Sequence, residues 1–450
     1  MDTHNQRDGF SSAFGMLAAT LGSAVGLGNI WMFPYQVGMG GGAGFLLIYL
    51  LATLLVGLPL MIAEISMGRY THRDSITTYR QLAPGSLWWL TALVGIAATL
   101  LIMSFYTVVV GWVFAYVGKS LTGSLHTADK SVLQQQFGEL VGSAPLSLGW
   151  QWLVLLVVGL ILGLGVTRGI EAVTKRLMPV LFVLLLIIAG VSLTLPNAMA
   201  GVKFLFLPQW GNISAQTVLA ALGLAFFKLS VGVGTMTIYG SYFKESQNIP
   251  KTALTVMLAD LAVSLLAGLA IFPAVFSFGF DPKGGPSLLF QTLPAVMQKM
   301  PFGSVLLTLF FVLTALAAIG AMLSLLEVPV AAMNEGWGIP RRRAAWLAVA
   351  MLFVLGLPCA LSNNLLQSIS LSGKTIFDLF DFLSSKILMP MGGLLICLFV
   401  ALRWQKPAFT AENTNHGRLN NQAVVGMAFG LLRSLTPLLI IIIMLTGLLL

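Results

Sequence analysis

Four stretches of this chain, Gly9 to Ala63, Gln81 to Gly118, Leu140 to Thr167 and Leu177 to Val202, contain no Asp, Glu, Lys, Arg or His. Each exceeds the roughly 20 residues that carry a helix across bilayer hydrocarbon. Only 9% of the 450 residues are charged, against about 25% in soluble domains. The bilayer is therefore the solvent, and a soluble enzyme is excluded. The first run is too long for a signal-peptide core and carries acidic as well as basic flanks, so it reads as a retained span.

Cutting the chain at its charged and Pro/Gly-rich connectors predicts eleven spans, near 12–37, 42–69, 87–118, 149–167, 173–195, 214–241, 251–279, 301–333, 343–360, 375–402 and 422–449. With the N-terminus in the cytoplasm, 15 basic residues fall in inside segments and 6 in outside segments, while Lys228, Lys386 and Arg433 lie within spans. The positive-inside rule favours that orientation. The net charge of +9 is thus topological, and no basic block interleaved with aromatics points to nucleic acid. Cys359 and Cys397 sit in apolar runs and the four histidines in loops or tails. Neither a disulfide framework nor a Cys or His metal site is expected.

Small residues interrupt two spans midway: the first from Ser23 to Asn29, the sixth from Leu229 to Gly234. Unwound backbone inside a membrane is tolerated only where it lines a cavity or binds something. Spans 1 and 6 correspond if spans 1–5 and 6–10 are two copies, and an odd number of spans per copy inverts one against the other. Gly-interrupted segments at matching places in two halves point to a transporter's binding site.

The chain resembles the neurotransmitter:sodium symporter family over nearly its whole length. The resemblance rests on GSAVGLGNIWMFPY from Gly22, GLPLMIAEISMGR from Gly57, SFYTVVVGW from Ser104, AFFKLSVGVG from Ala225, AGLAIFPAVF from Ala267, SLLEV from Ser324 and IFDLFDFLSSKILMP from Ile376. Eleven spans look like the short bacterial branch. The implied architecture is an all-α polytopic membrane protein with a 5+5 inverted-repeat transporter fold, broken spans 1 and 6, and an eleventh helix. Residues 1–11 would form a cytoplasmic tail, 12–200 the first repeat, 201–403 the second, and 404–450 a cytoplasmic loop and span 11.

By that resemblance, a substrate carboxylate is held at Gly26, Leu27 and Gly28 and by Tyr106, with Ala24 also among the substrate-binding residues, as suits the N–H groups of a half-helix. The side-chain pocket maps to Ile102, Phe227, Ser230, Val233, Ala321 and Leu325. It is almost wholly apolar, which predicts a hydrophobic or aromatic amino acid, with Val233 leaving room for a large side chain. The family's first sodium site uses Ala24, Asn29 and a span 6 hydroxyl, and here that hydroxyl position is Lys228. The second uses backbone of Gly22, Val25 and Ala317 with two hydroxyls, where this chain has Gly320 and Ala321. The ammonium of Lys228 is expected to replace the first sodium, balanced by Asp260 and by the substrate carboxylate. Coupling to Na+ or H+ stays open, and backbone carbonyls could still hold a weak sodium.

The family's outer ion pair is lost, since its positions hold Met32 and Asp381, with Lys386 as a substitute base nearby. Arg7, Glu335 and Tyr242 match an inner gate. Glu64 is expected to brace the broken span 1, while Glu327 and Asp378 brace helices or join in coupling.

The resulting expectation is an amino-acid transporter working by alternating access in a bacterial inner membrane, with amino acid and lipid as partners, no organic cofactor, no catalytic step and no defined oligomeric state. The rivals are a conventional sodium symporter and a sensor that binds an amino acid without moving it. A membrane enzyme lacks a catalytic constellation beside the breaks, and two opposed half-helix breaks suit an occluded site better than a continuous pore.

Overall fold

The computed structural model describes residues 9–208, 211, 213–281, 288–371 and 373–449. Span 1 starts where the Ser12 hydroxyl accepts the Gly15 N–H at 3.0 Å, satisfying one of the free donors at the helix end. It runs as Ala13–Ala24, opens at Val25 into an extended conformation, and resumes through Gly28 after a bend of 53°. Span 6 starts with a capping box between Ser214 and Thr217, runs as Ala215–Lys228, and breaks before Thr235–Gly240. Within that break Ser230, Gly232 and Gly234 have φ of 51°, 84° and 83°. A side chain is penalised in that left-handed region, so two of the three positions are glycine.

The remaining spans carry no glycine break of this kind, although Ile376–Asn413 kinks at Gln405 and Gln422–Gly447 at Ser434: Ala43–Thr71, Leu87–Leu121, Ala144–Gly163, Val166–Leu193, Ile249–Ser277, Gly303–Gly336, Arg341–Leu361, Ile376–Asn413 and Gln422–Gly447. Nine such helices, the bent pair and the interrupted span 6 make the eleven expected spans among the described residues. Leu153, Leu156 and Leu160 of span 4, and Val183, Leu186 and Ile187 of span 5, are exposed at helical spacing and face lipid. The inner spans pack backbone to backbone. A β-carbon on Gly68 of span 2 would sit 1.8 Å from the Thr237 carbonyl, and one on Gly240 of span 6 would sit 2.3 Å from that of Ile65. Small residues here let span 2 and the second half of span 6 touch directly, as van der Waals packing in lipid requires.

Some boundaries differ from expectation. The turn between spans 4 and 5 falls at Leu164 and Gly165, so Val166 and Thr167 open span 5 instead of closing span 4. The connectors also carry short helices, Ser75–Leu82, Lys130–Gly142 and Ala198–Phe206. At 8, 13 and 9 residues they are too short to cross hydrocarbon, which hides them from a reading tuned to span length. A two-residue antiparallel ladder, Ser370–Leu371 with Lys374–Thr375, is a small departure from an all-helical chain.

Candidate functional site

The two breaks meet. Ser230, held in a left-handed conformation, donates its hydroxyl to the Ser23 carbonyl at 2.9 Å, tying break to break. Around this contact a cavity is lined by Ala24, Gly26, Gly28, Ile102, Tyr106, Phe227, Ser230, Val233, Ala321 and Leu325, together with Ser23, Lys228 and Met389. The expected substrate residues are thus brought together, apart from Leu27. That residue lines the next cavity outward and gives its N–H to Tyr106 Oη at 3.1 Å. Ser23 and Met389 are additions to the expected lining, and Lys228, expected beside the substrate carboxylate, lines the cavity as well. Ser23 Oγ is buried and has no hydrogen-bond partner among the described residues, so it is available to a polar group in the cavity. The space is tight at the Gly26 end: a β-carbon on Gly26 would lie 3.0 Å from both the Ala321 β-carbon and Tyr106 Oη.

Beside the cavity lies a buried ion pair. Lys228 Nζ is 2.9 Å from Asp260 Oδ2, with both side chains fully removed from solvent. It also donates to Tyr49 Oη at 3.0 Å and to Ser264 Oγ, and it lies over the rings of Phe33 and Tyr49 at 5.1 and 4.9 Å. An ammonium has three N–H donors, and all three have partners. The expectation that the substrate carboxylate would be a second counter-charge for Lys228 is therefore corrected. The stem lines the cavity near Gly28, while the charged head turns away toward spans 2 and 7.

Asp260 is equally occupied. Its Oδ1 accepts from Asn29 Nδ2 at 2.6 Å, and its Oδ2 accepts from Tyr49 Oη at 3.4 Å as well as from Lys228. Asn29 Oδ1 in turn accepts the Gly26 N–H at 3.2 Å. One chain of hydrogen bonds thus runs from Lys228 through Asp260 and Asn29 into the unwound backbone of span 1. Tyr49 and Ser264, central to it, were missed. A lone Tyr or Ser in an apolar span reads as belt or packing until its neighbours are known.

The positions of the second cation site converge too, but on apolar contacts. A β-carbon on Gly320 would lie 3.0 Å from the Gly22 carbonyl oxygen, and the Met178 methyl lies within 3.5 Å of that same position. Val25 and Ala317 are fully buried and Ala321 nearly so. The adjacent hydroxyl, on Thr174, is turned onto the Ile170 carbonyl at 2.8 Å. No side-chain oxygen of Gly320 or Ala321 can replace the missing pair.

Glu64 corrects another expectation. Its Oε1 accepts the Gly232 N–H at 2.6 Å, so it braces the break of span 6 and not that of span 1. It sits at the start of the second half-helix, where a carboxylate suits the exposed N–H groups.

On the side expected to face outward, Trp31, Met32, Phe105, Phe377 and Asp381 line the cavity that continues from Tyr106 and Phe227. Met32 and Asp381 do face one space, while the stem of Lys386 lies against Gly447 of span 11. Asp378 caps its own helix, accepting from the Thr375 hydroxyl at 2.7 Å. On the side expected to face inward, Tyr242 donates to Glu327 Oε1 at 2.6 Å, and Arg341 grips the same carboxylate with two bonds of 2.8 and 2.7 Å. Arg341 was not foreseen in this role. Glu335 Oε2 accepts the Asp74 N–H at 2.8 Å. Arg7 lies outside the described residues.

Comparison with known proteins agrees with this architecture. The model of the Sodium:neurotransmitter symporter family matches residues 7–137 and 139–449. A Bacillus subtilis (strain 168) protein named "Uncharacterized sodium-dependent transporter YhdH" is 42% identical over 436 residues, covering 97% of this chain and 96% of its own. An "Uncharacterized sodium-dependent transporter" of Haemophilus influenzae is 32% identical, over 89% and 90% of the two chains. The crystal structure of MhsT in complex with L-phenylalanine superposes with a TM-score of 0.90 at 38% identity, covering 98% of this chain and 100% of that one.

Proposed function

Since the chain belongs to the Sodium:neurotransmitter symporter family, and is thus a multi-pass secondary transporter, we propose that it moves hydrophobic or aromatic amino acids by alternating access, with its N-terminus in the cytoplasm of a bacterial inner membrane. The observation that carries the substrate class is the cavity at the two breaks. Ile102, Phe227, Val233, Ala321, Leu325 and Met389 give it apolar walls, and no free charge faces it because the Lys228 head is fully engaged. A charged side chain would be desolvated there without a partner, at a cost of several kcal/mol. L-phenylalanine in the MhsT complex is of the class that fits.

The amino acid's own charges are met by backbone and hydroxyls. Its carboxylate faces the N–H groups of Gly26 to Gly28 and the Tyr106 hydroxyl, at the positive end of the second half of span 1. Its ammonium takes the unpartnered Ser23 hydroxyl. In this reading Lys228 stands permanently where the family places a sodium ion, and Asp260 neutralises it, so the first site carries no mobile cation.

A second reading keeps sodium. Relatives bear sodium-dependent names, and the carbonyls around Gly22, Val25 and Ala317 could serve a weak ion without hydroxyl ligands. Uptake into liposomes by purified protein distinguishes these. Sodium is replaced by potassium or choline, with and without a proton gradient, for wild type and Lys228→Thr. Phenylalanine, tryptophan and leucine should compete, and glutamate and lysine should not; the reverse order refutes the pocket assignment. Uptake that persists without sodium supports the tethered cation, whereas a strict sodium requirement in the wild type supports the second reading. Binding without counterflow would make the chain a sensor.

A further inference from the structure

Away from the transport pathway, on the face that carries most of the loop arginines and lysines, a cleft of about 430 Å³ opens between spans 10 and 11. Its apolar walls include Leu398, Leu402 and Phe429, and its polar end is formed by Gln405, Lys406 and Arg433. We propose that this cleft binds the headgroup of an anionic phospholipid, with Lys406 and Arg433 on the phosphate and an acyl chain along the leucines.

Several independent observations point there. Arg433 is exposed although it lies within Gln422–Gly447, about 16 Å along the helix from Gln422 at 1.5 Å per residue. An arginine at that depth is costly unless its head reaches the interface or an anion. Helical side chains lean toward the N-terminus, which brings this one back to the level of Lys406. Neither cation has an ion-pair partner among the described residues. Beside the cleft the half-exposed Tyr70, whose ring packs edge-on against the buried Trp404 at 6.0 Å, is an aromatic of the kind enriched at membrane interfaces.

The backbone at the same point is strained. Gln405 has φ 63° and ψ 167°, a conformation that essentially only glycine adopts without cost. That kink ends the π-helical turn Val400–Trp404 and turns the chain into Gln405–Asn413, placing Gln405 and Lys406 on the cleft rim. A basic pocket between membrane helices, apolar below and cationic above, has the chemistry of an anionic lipid headgroup site. Free phosphate fits the cations but leaves the exposed leucine wall, with Leu402 64% accessible, without a partner.

The test uses purified, delipidated full-length protein in detergent. Phosphatidylglycerol, phosphatidylcholine and inorganic phosphate are added separately, and binding is read by native mass spectrometry and by thermal unfolding. The expected result is saturable retention of phosphatidylglycerol, with stabilisation that the other two do not give. Arg433→Gln with Lys406→Gln should weaken that affinity about 30-fold, and Lys406→Gln alone, a surface change that leaves the span intact, about fivefold. A control, Arg342→Gln with Arg343→Gln on the same membrane face, should bind as wild type. Equal retention of phosphatidylcholine, equal stabilisation by phosphate, an unchanged affinity in the Lys406 variant or an equal loss in the control would each overturn the proposal.

Discussion

The Lys228–Asp260 pair makes a sharp energetic prediction. Both groups are fully buried and 2.9 Å apart, so removing one strands the other's charge in a medium that cannot solvate it. The stranded group avoids that cost by changing its protonation. From free-chain reference values, adding a proton to an aspartate costs about 4 kcal/mol at pH 7, and removing one from a lysine about 5 kcal/mol. Lys228→Met and Asp260→Asn should therefore each destabilise by about 3 to 5 kcal/mol, in line with other broken buried pairs. The double variant should lose less than either single one, because methionine fills the lysine's volume and no charge remains.

The pH dependence carries opposite signs. In Lys228→Met the folded state holds one proton more than the unfolded state, so its deficit shrinks by about 1.4 kcal/mol for each unit that pH falls below 7. In Asp260→Asn the folded state holds one proton fewer, so its deficit shrinks as pH rises. The assay is unfolding in mixed micelles across pH 5 to 9, read by the fluorescence of the chain's ten tryptophans. Additive single-variant costs in the double variant, or slopes of one sign in both singles, would refute the reasoning.

Other contacts predict further outcomes. Gly26→Ala should abolish amino-acid binding in equilibrium binding assays, since its β-carbon meets Ala321 and Tyr106 at 3.0 Å, while leaving thermal stability near wild type. Glu64→Ala strips the Gly232 N–H of its acceptor and should cost about 1 to 3 kcal/mol in the same unfolding assay; a neutral change would remove its role as the brace of span 6. Arg341→Ala leaves Glu327 buried with the Tyr242 hydroxyl but without its bidentate base. It should loosen the inner side, measured as faster thiol labelling of cysteines introduced along the inner vestibule.

Much of this molecule could be read before its coordinates. Span count followed from uncharged length, and the two breaks from glycines that hydrocarbon would otherwise not tolerate. The cavity lining followed from the family resemblance. What stayed hidden was mostly a matter of direction. The pairing of Lys228 with Asp260 was anticipated, yet nothing in linear order revealed that Tyr49 and Ser264 would use its remaining donors. Those residues come from spans 2 and 7, and their convergence is a product of packing. Glu64 was correctly marked as a brace but assigned to the wrong break, because its partner Gly232 is 168 residues away. Arg341 sat in a run of three arginines that read as a topological signal, and only the loop geometry singles out one of them to grip Glu327. The Gln405 kink carries no glycine to announce it.

The closed bonding of Lys228 has a consequence for how steeply any solute can be concentrated. A cation that travels with its cargo does electrical work, worth about 2.3 kcal/mol per charge at 100 mV, or about a 50-fold higher ceiling on accumulation. A cation fixed to span 6 by a peptide backbone is never delivered to the far side. Whatever displacement it makes in one half of the cycle is reversed in the other, and the membrane voltage gains no purchase through it. If Lys228 holds the place of a mobile ion, as proposed above, the exchange moves such a machine away from a pump and toward a valve, whose direction is set by the gradient of its own cargo.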